Sequence, residues 1–231
     1  MRLRRMSDSL RDDPVIVLGM HHSGTSILAE VLHRHGVFMH ANMRHFESRF
    51  FTSTVNNRAI MGGGGNWAAN PIMPVAAVLA KLDDVRKLIE KKAYSRYAQA
   101  GYDGRSPWGF KDPRTCVVLP LYLKLFPNAR LLHIVRDEED VASSLARSKK
   151  RGVGVKADPA FWAELWRQHV RRARQLGRRH QHYHEFRYED FCRRPVETAR
   201  PIFKFLDLPF SSAAERFVKR NVQAAQETAS P

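Results

Sequence analysis

The sequence predicts an α/β fold in three layers, with a central, mostly parallel sheet flanked by helices. Three observations predict it. The stretch VIVLGMHHSGTSILAEVL (residues 15–32) passes from a β-branched run through a glycine loop into an amphipathic helix. A second apolar run, ARLLHIVRD (129–137), precedes a segment with acids in its first turn and bases in its last, which suits the helix dipole. The order β-α-…-α-β-α-β-α, with long connections between strands, suits parallel pairing through crossovers.

Taken in order, residues 1–13 are polar and predict a flexible N-terminus. Residues 14–231 predict a single domain, in which 37–107 form an insertion and helical region. VIVLG (15–19) is a buried strand ending at glycine. Gly24 to His35 is a helix with Ile27, Leu28, Val31 and Leu32 on one face, stopped by Gly36. Residues 37–70 show no clean period and contain GGGG at 62–65, so they read as a long mobile connection. Residues 75–99 carry Val75, Val78, Leu79, Leu82, Val85, Leu88 and Ile89 at helical spacing. WGFKD (108–112) is a short strand, LPLYLKLFP (119–127) a helix stopped by Pro127, and 138–150 a further helix. The next helix turns Phe161, Trp162, Leu165, Trp166, His169, Val170 and Ala173 inward and its arginines outward. HEFRYED (184–190) is a strand, and helices near 196–207 and 211–225 follow.

The 231 residues allow a sizeable core. The net charge of +16 points to an acidic partner, whether nucleic acid, anionic polymer, membrane face or phosphorylated ligand. Cys116 and Cys192 stand in no C-x-x-C pair or zinc spacing, so they read as free thiols without a metal role. Without a signal-peptide pattern or a long apolar run, the expected compartment is the cytoplasm.

The 19–26 loop is P-loop-like. Gly19, Gly24 and Ser26 follow the G-x-x-x-x-G-K-[ST] spacing, but Thr25 stands where the lysine belongs. Backbone N–H groups at 22–26, with the hydroxyls of Ser23, Thr25 and Ser26, can ring an anion at a helix N-terminus. Arg136 ends a predicted strand and can fork onto a phosphate; Ser144, two helical turns on, can bond another oxygen of that group. Arg136 can equally pair with Asp137 or Asp140. The loop positions, 111–114, 136–144 and 188–190 all fall at or past strand ends, where ligands of such sheets sit.

GMHHSGTS, WGFKDPRT, FPNARLLHIVRD with its following serine, and FRYEDFCRRP…FLDLP together resemble sulfotransferases that use 3′-phosphoadenosine-5′-phosphosulfate (PAPS), in the bacterial branch near the tyrosylprotein and carbohydrate enzymes. The resemblance runs from about residue 15 to 210. It implies that His21, His22, Ser23, Gly24, Thr25 and Ser26 hold the 5′-phosphosulfate, that Arg136 and Ser144 hold the 3′-phosphate, and that Tyr188 lies near the adenine. It makes Lys111 a contact to the transferred group and Glu47 the general base. The reaction implied is sulfuryl transfer to a hydroxyl or amine, with PAP as product and no metal. The positive surface favours an acidic saccharide as acceptor.

Loose in-line transfer needs a cation at the leaving oxygen and a base at the acceptor. Lys111 and His22 are the cations available. Most relatives have lysine or arginine at the position of His22. An ordinary imidazole titrates near 6.5 (about). The helix N-terminus lowers that value and a bound anion raises it more, so imidazolium is expected in the complex. The Arg-Lys-Gly segment of cytosolic sulfotransferases is absent, and Arg147, Lys149, Lys150 or Arg151 are the residues available to replace its charge. Competing readings are a P-loop-type small-molecule phosphotransferase, opposed by the missing lysine at 25, and a non-catalytic, basic polyanion-binding protein on the same fold. Specific nucleic-acid binding is not expected. The arginines at 171, 172, 174, 178 and 179 also fit a merely solvated helix face.

Overall fold

Strand β1 (Val15–Leu18) is fully buried and pairs in parallel with β2 (Gly109–Lys111) on one side and β3 (Arg130–Val135) on the other. Strand β4 (Tyr183–Arg187) extends the sheet beside β3, giving the order β2-β1-β3-β4. The computed structural model describes Leu10 and residues 13–40, 44–63, 72–148 and 158–227.

Alternation along the strands divides the core. Ile16, Leu18, Phe110 and Leu131 face one apolar layer, and Val15, Val17, Leu132 and Ile134 face the other. The first layer is completed by α3 (Leu82–Gln99), α4 (Thr115–Leu125) and α6 (Pro159–Gly177). The second is completed by α1 (Thr25–Arg34), α7 (Tyr188–Arg193), α8 (Pro195–Phe205) and α9 (Ser212–Glu227). Helix α5 (Glu138–Ala146) packs against α6 through Val141, Ala142, Leu145, Trp162 and Leu165. These are the three layers the sequence predicts.

Several predicted boundaries move. Helix α1 begins at Thr25 because Gly24 sits in the left-handed region, at φ 84°. The helix predicted over 75–99 is two, α2 (Val75–Leu79) and α3, since Asp83 and Asp84 make a new helix start favourable. Helix α4 starts four residues early, at Thr115, with its N-terminal turn fixed by the 112–114 turn. Helix α5 ends at Ala146. The predicted strand 184–190 stops at Arg187, and Tyr188 opens α7. Phe161 is not inward but 41% exposed, lying off the stripe formed by Trp162, Leu165, His169 and Ala173. The prediction for residues 1–13 lies outside the described residues apart from Leu10 and Asp13.

The largest correction falls in 37–70. A 3₁₀ turn (Arg44–Phe46) leads into a π-helix (Phe50–Ile60) that buries Phe50, Phe51, Val55, Asn56 and Ile60. Its apolar residues recur at intervals of four and five, which neither the α nor the β template matches. Phe51 stacks on Phe110 with ring centroids 3.9 Å apart and meets Trp108, Tyr97 and Tyr122. Phe51→Ala should therefore cost about 3–5 kcal/mol of stability. A lowered urea midpoint with an unchanged slope is the expected result; an unaltered midpoint would show that this segment adds little to the core.

Candidate active site

The loop from Gly19 to Gly24 turns the chain from β1 into α1 at the carboxyl edge of the sheet. Gly19 lies at φ 152°, where a Cβ would sit 2.7 Å from the carbonyl oxygen of Ile134. Its N–H donates to Sγ of Cys116 at 3.3 Å. At Gly24 a Cβ would sit 2.3 Å from the ring of Tyr188, so glycine is required both by conformation and by space. His22 adopts φ 64° without being glycine, a strain on the order of 1 kcal/mol that its contacts must offset.

Those contacts converge on the sites predicted for one anion. His22 Nδ1 lies 2.7 Å from the hydroxyl of Ser144 in α5. Arg136, one residue past β3, donates through Nη1 to the carbonyl of His22 at 3.2 Å and stacks over Tyr188 at 5.0 Å from the ring centre. It also reaches Asp140 at 3.4 Å, so the alternative pairing read from the sequence coexists with the loop contact. Asp137 caps α5 by accepting from the N–H groups of Glu139 and Asp140, and its own N–H donates to Glu189 in α7. That bond ties the end of β3 to the turn that carries Tyr188.

On the other side of the loop stand Lys111 and Glu47. Lys111 is the last residue of β2. Its buried ammonium donates to Glu47 Oε1 at 2.8 Å and to the hydroxyl of Ser26 at 3.4 Å. Burial pushes the Glu47 carboxyl above its ordinary range, against the pull of Lys111, and pushes the Lys111 ammonium below its own, against the pull of Glu47. The His40 imidazole is instead held by Ser48 Oγ at 2.7 Å and packed on Tyr97, and burial lowers it to about 4.

His21 is a buried residue of the loop. Burial, then the neighbouring charges of His169, Arg114, His22 and Lys111, hold its imidazole well below the usual range, so it is neutral at pH 7. The hydroxyl of Ser23 and Nε of Arg136 are buried without a hydrogen-bond partner. Orphaned donors beside a glycine loop at a helix N-terminus are what an anionic ligand would satisfy. Among the described residues, no group of three or more His, Cys, Asp or Glu is placed to hold a metal. Lys149, Lys150 and Arg151 lie outside the described residues.

Sequence reasoning missed the support beneath this site. Asp112, fully buried, accepts from Arg114 (backbone N–H and guanidinium) and from Asn56 of the π-helix at 2.9 Å. Arg114 also donates to the carbonyl of Thr52, and Tyr122 donates to Oδ1 of Asn56. The signal was present in KDPR, whose lysine was read but whose aspartate and arginine were not.

The topology is that of an α/β fold whose first strand runs through a glycine loop into a helix. A family model described as "Sulfotransferase family" matches residues 14–212, and the chain belongs to that family. A Caenorhabditis elegans protein named "Putative protein-tyrosine sulfotransferase" is 32% identical over 103 residues, which are 44% of this chain and 40% of that protein. The match thus spans well under half of that relative. Among solved structures, the sulfotransferase domain from the curacin biosynthetic pathway superposes with a TM-score of 0.57 at 19% identity, covering 89% of this chain and 77% of that one. Mouse sulfotransferase SULT7A1 complexed with PAP gives 0.56 at 15% identity, covering 97% and 69%. Sulfotransferase STF9 from Mycobacterium avium gives 0.55 at 18%, covering 92% and 68%. These likenesses establish the fold.

The ion pair yields a prediction about pH. Removing the ammonium in Lys111→Met leaves Glu47 buried without its counter-charge and raises its carboxyl further. The folded carboxyl then titrates above its unfolded value, so the variant is most stable while Glu47 is protonated and loses stability as pH rises through that raised value. At pH 7 the loss should be on the order of 2 kcal/mol, discounted for partial exposure of Glu47. Adding Glu47→Gln should restore most of it. Denaturation of both variants between pH 4.5 and 8 tests this; equal loss at every pH would mean that Lys111 acts by packing alone.

Proposed function

We propose that the chain transfers a sulfuryl group from PAPS to a hydroxyl or amine, with a saccharide hydroxyl as the acceptor. The observation that carries this reading is the convergence of Ser144 and Arg136 on His22. It sets a second cationic, hydrogen-bonding point beside the loop. A phosphate loop alone suits any nucleotide. A loop with a neighbouring arginine–serine pair and an aromatic ring suits a nucleotide with a second phosphate on its ribose.

When bound, PAPS supplies an activated sulfuryl group. The amides of 22–26 and the hydroxyls of Ser23, Thr25 and Ser26 hold its phosphosulfate, with the buried orphan Ser23 hydroxyl among them. His21, neutral and buried in the loop, shapes this cradle without adding charge. Arg136 and Ser144 hold the 3′-phosphate, and Tyr188 borders the base. Lys111 and His22 supply positive charge where the leaving oxygen becomes negative. Glu47 takes the proton of the acceptor hydroxyl. Lys111 keeps it ionised until the acceptor arrives, and burial keeps it basic. Residues 37–107, which carry Glu47 and the π-helix, shape the acceptor side. A protein tyrosine hydroxyl is a second reading of the acceptor, favoured by the name of the nematode relative. No helix among the described residues is long and apolar enough to cross a membrane; we take the cytoplasm as the compartment.

Two measurements test the reading. Arg136→Ala should weaken PAP binding tenfold or more, the cost of about 1.5–3 kcal/mol for a hydrogen bond to a charged group, while AMP binding changes little. Calorimetry with both nucleotides decides it, since equal losses would remove Arg136 from the 3′-phosphate. Glu47→Gln should lower turnover by about 10²–10⁴ and leave PAP affinity near that of the parent. Retained turnover would move the base to another group.

A further inference from the structure

The outer face of α6 carries a second positively charged feature, separate from the nucleotide loop. A shallow cavity of about 560 Å³ is lined there by Trp166, Arg167, Arg171, Arg174, Gln175 and Arg178, with Val170 in its floor and Arg179 at its end. Residues 167, 171, 174 and 178 are spaced by four, three and four, so their guanidinium groups follow one helix face. From Arg167 to Arg178 the row is roughly 16 Å long at the α-helical rise.

Not all of this charge is absorbed internally. Arg167 pairs with Glu138 and Glu164, and Arg174 with Glu185. Arg171, Arg178 and Arg179 are exposed and form no ion pair among the described residues. Three exposed arginines without an ion-pair partner thus share one groove, where like charges repel. The groove also has a direction. Arg167 is held to Glu138, the first residue of α5, just beyond the carboxyl end of β3 where Arg136 stands. One end of the row therefore opens at the edge of the sheet that carries the active site.

We infer that the α6 groove binds a stretch of a sulfated or carboxylated polysaccharide. The inference rests on the reading of the acceptor as a saccharide. A guanidinium at each turn matches anions repeated along a chain, and its fork suits sulfate and carboxylate equally. Gln175 and the arginine N–H groups offer partners for sugar hydroxyls, and Val170, Trp166 and the arginine stems offer an apolar floor for ring faces. Nucleic acid is disfavoured because single-strand binding relies on successive stacked aromatics, and Trp166 is the one aromatic residue lining this groove. The role is to tether an anionic chain beside the β3 end of the site; it takes no part in the chemistry.

The test measures binding without PAPS, by anisotropy, of a labelled heparin-type octasaccharide, with a neutral maltooligosaccharide, polyglutamate and an oligo-dT strand as comparisons. The variant is Arg171→Ser/Arg178→Ser/Arg179→Ser, which spares the ion-paired Arg167 and Arg174. The control removes three exposed cations elsewhere, Lys204 of α8 and Arg216 and Arg220 of α9, by the same substitution. The expected result is sulfated-glycan binding that weakens steeply from about 50 to about 200 mM salt and drops at least tenfold (about) in the α6 variant but little in the control. Unchanged PAP affinity in both variants would show an intact nucleotide site. Equal losses in variant and control would overturn the groove in favour of net charge, as would no glycan binding at low salt. Tighter binding of polyglutamate or oligo-dT through the same three arginines would overturn the polysaccharide assignment. Loss of PAP binding in the parent chain would instead refute the nucleotide reading, independently of the groove.

Discussion

The buried carboxylate of Asp112 is the constraint on which the Lys111–Glu47 side of the site depends. It has no access to solvent, and its negative charge is met by the Arg114 guanidinium, the Arg114 backbone N–H and the side-chain amide of Asn56. Such a charge tolerates no missing partner. Its partners therefore lock three segments together: the end of β2, the start of α4 and the π-helix. Lys111 is the residue before Asp112, and Glu47 lies three residues before the π-helix begins. Their 2.8 Å ion pair is the outward expression of this buried network.

The loop side of the site is built differently. Its precision comes from absence of bulk at Gly24 and from a ring, Tyr188, that fills the space so released. Arg136 stacks over that ring. Asp137 and Glu189 join the two strand ends, so that β3 and β4 deliver Arg136 and Tyr188 as one unit. The loop is thus shaped as much by residues late in the chain as by its own glycines.

The layered sheet and the strand–loop–helix passage from β1 into α1 were legible in the sequence because they follow local patterns. Apolar runs of β-branched residues gave β1 and β3, and glycine spacing gave the loop. Glu47 and Lys111 came from resemblance, not from period or spacing. The π-helix was illegible since its wider turn spaces Phe51, Val55 and Ile60 irregularly by α-helical standards. The Asp112 network was illegible for another reason: buried charge partners far apart in sequence leave no local pattern. Tyr188 was found, but placed in a strand, because an aromatic residue after a β-like run gives no sign of the helix it opens.

The long-range character of the site bears on how the protein is made. His22 and Ser144 are 122 residues apart, His22 and Arg136 are 114 apart, and Gly19 and Cys116 are 97 apart. The loop leaves the ribosome before its partners, next to a strand whose four residues are all apolar and whose neighbours β2 and β3 have yet to be synthesised. Local contacts cannot complete it, so closing the loop has to wait for distant segments. During that interval VIVL is an exposed apolar strand with two open edges, the kind of segment that invites wrong pairing and chaperone capture. A nascent chain arrested before residue 188 would own its glycine loop and still lack the ring that packs against Gly24.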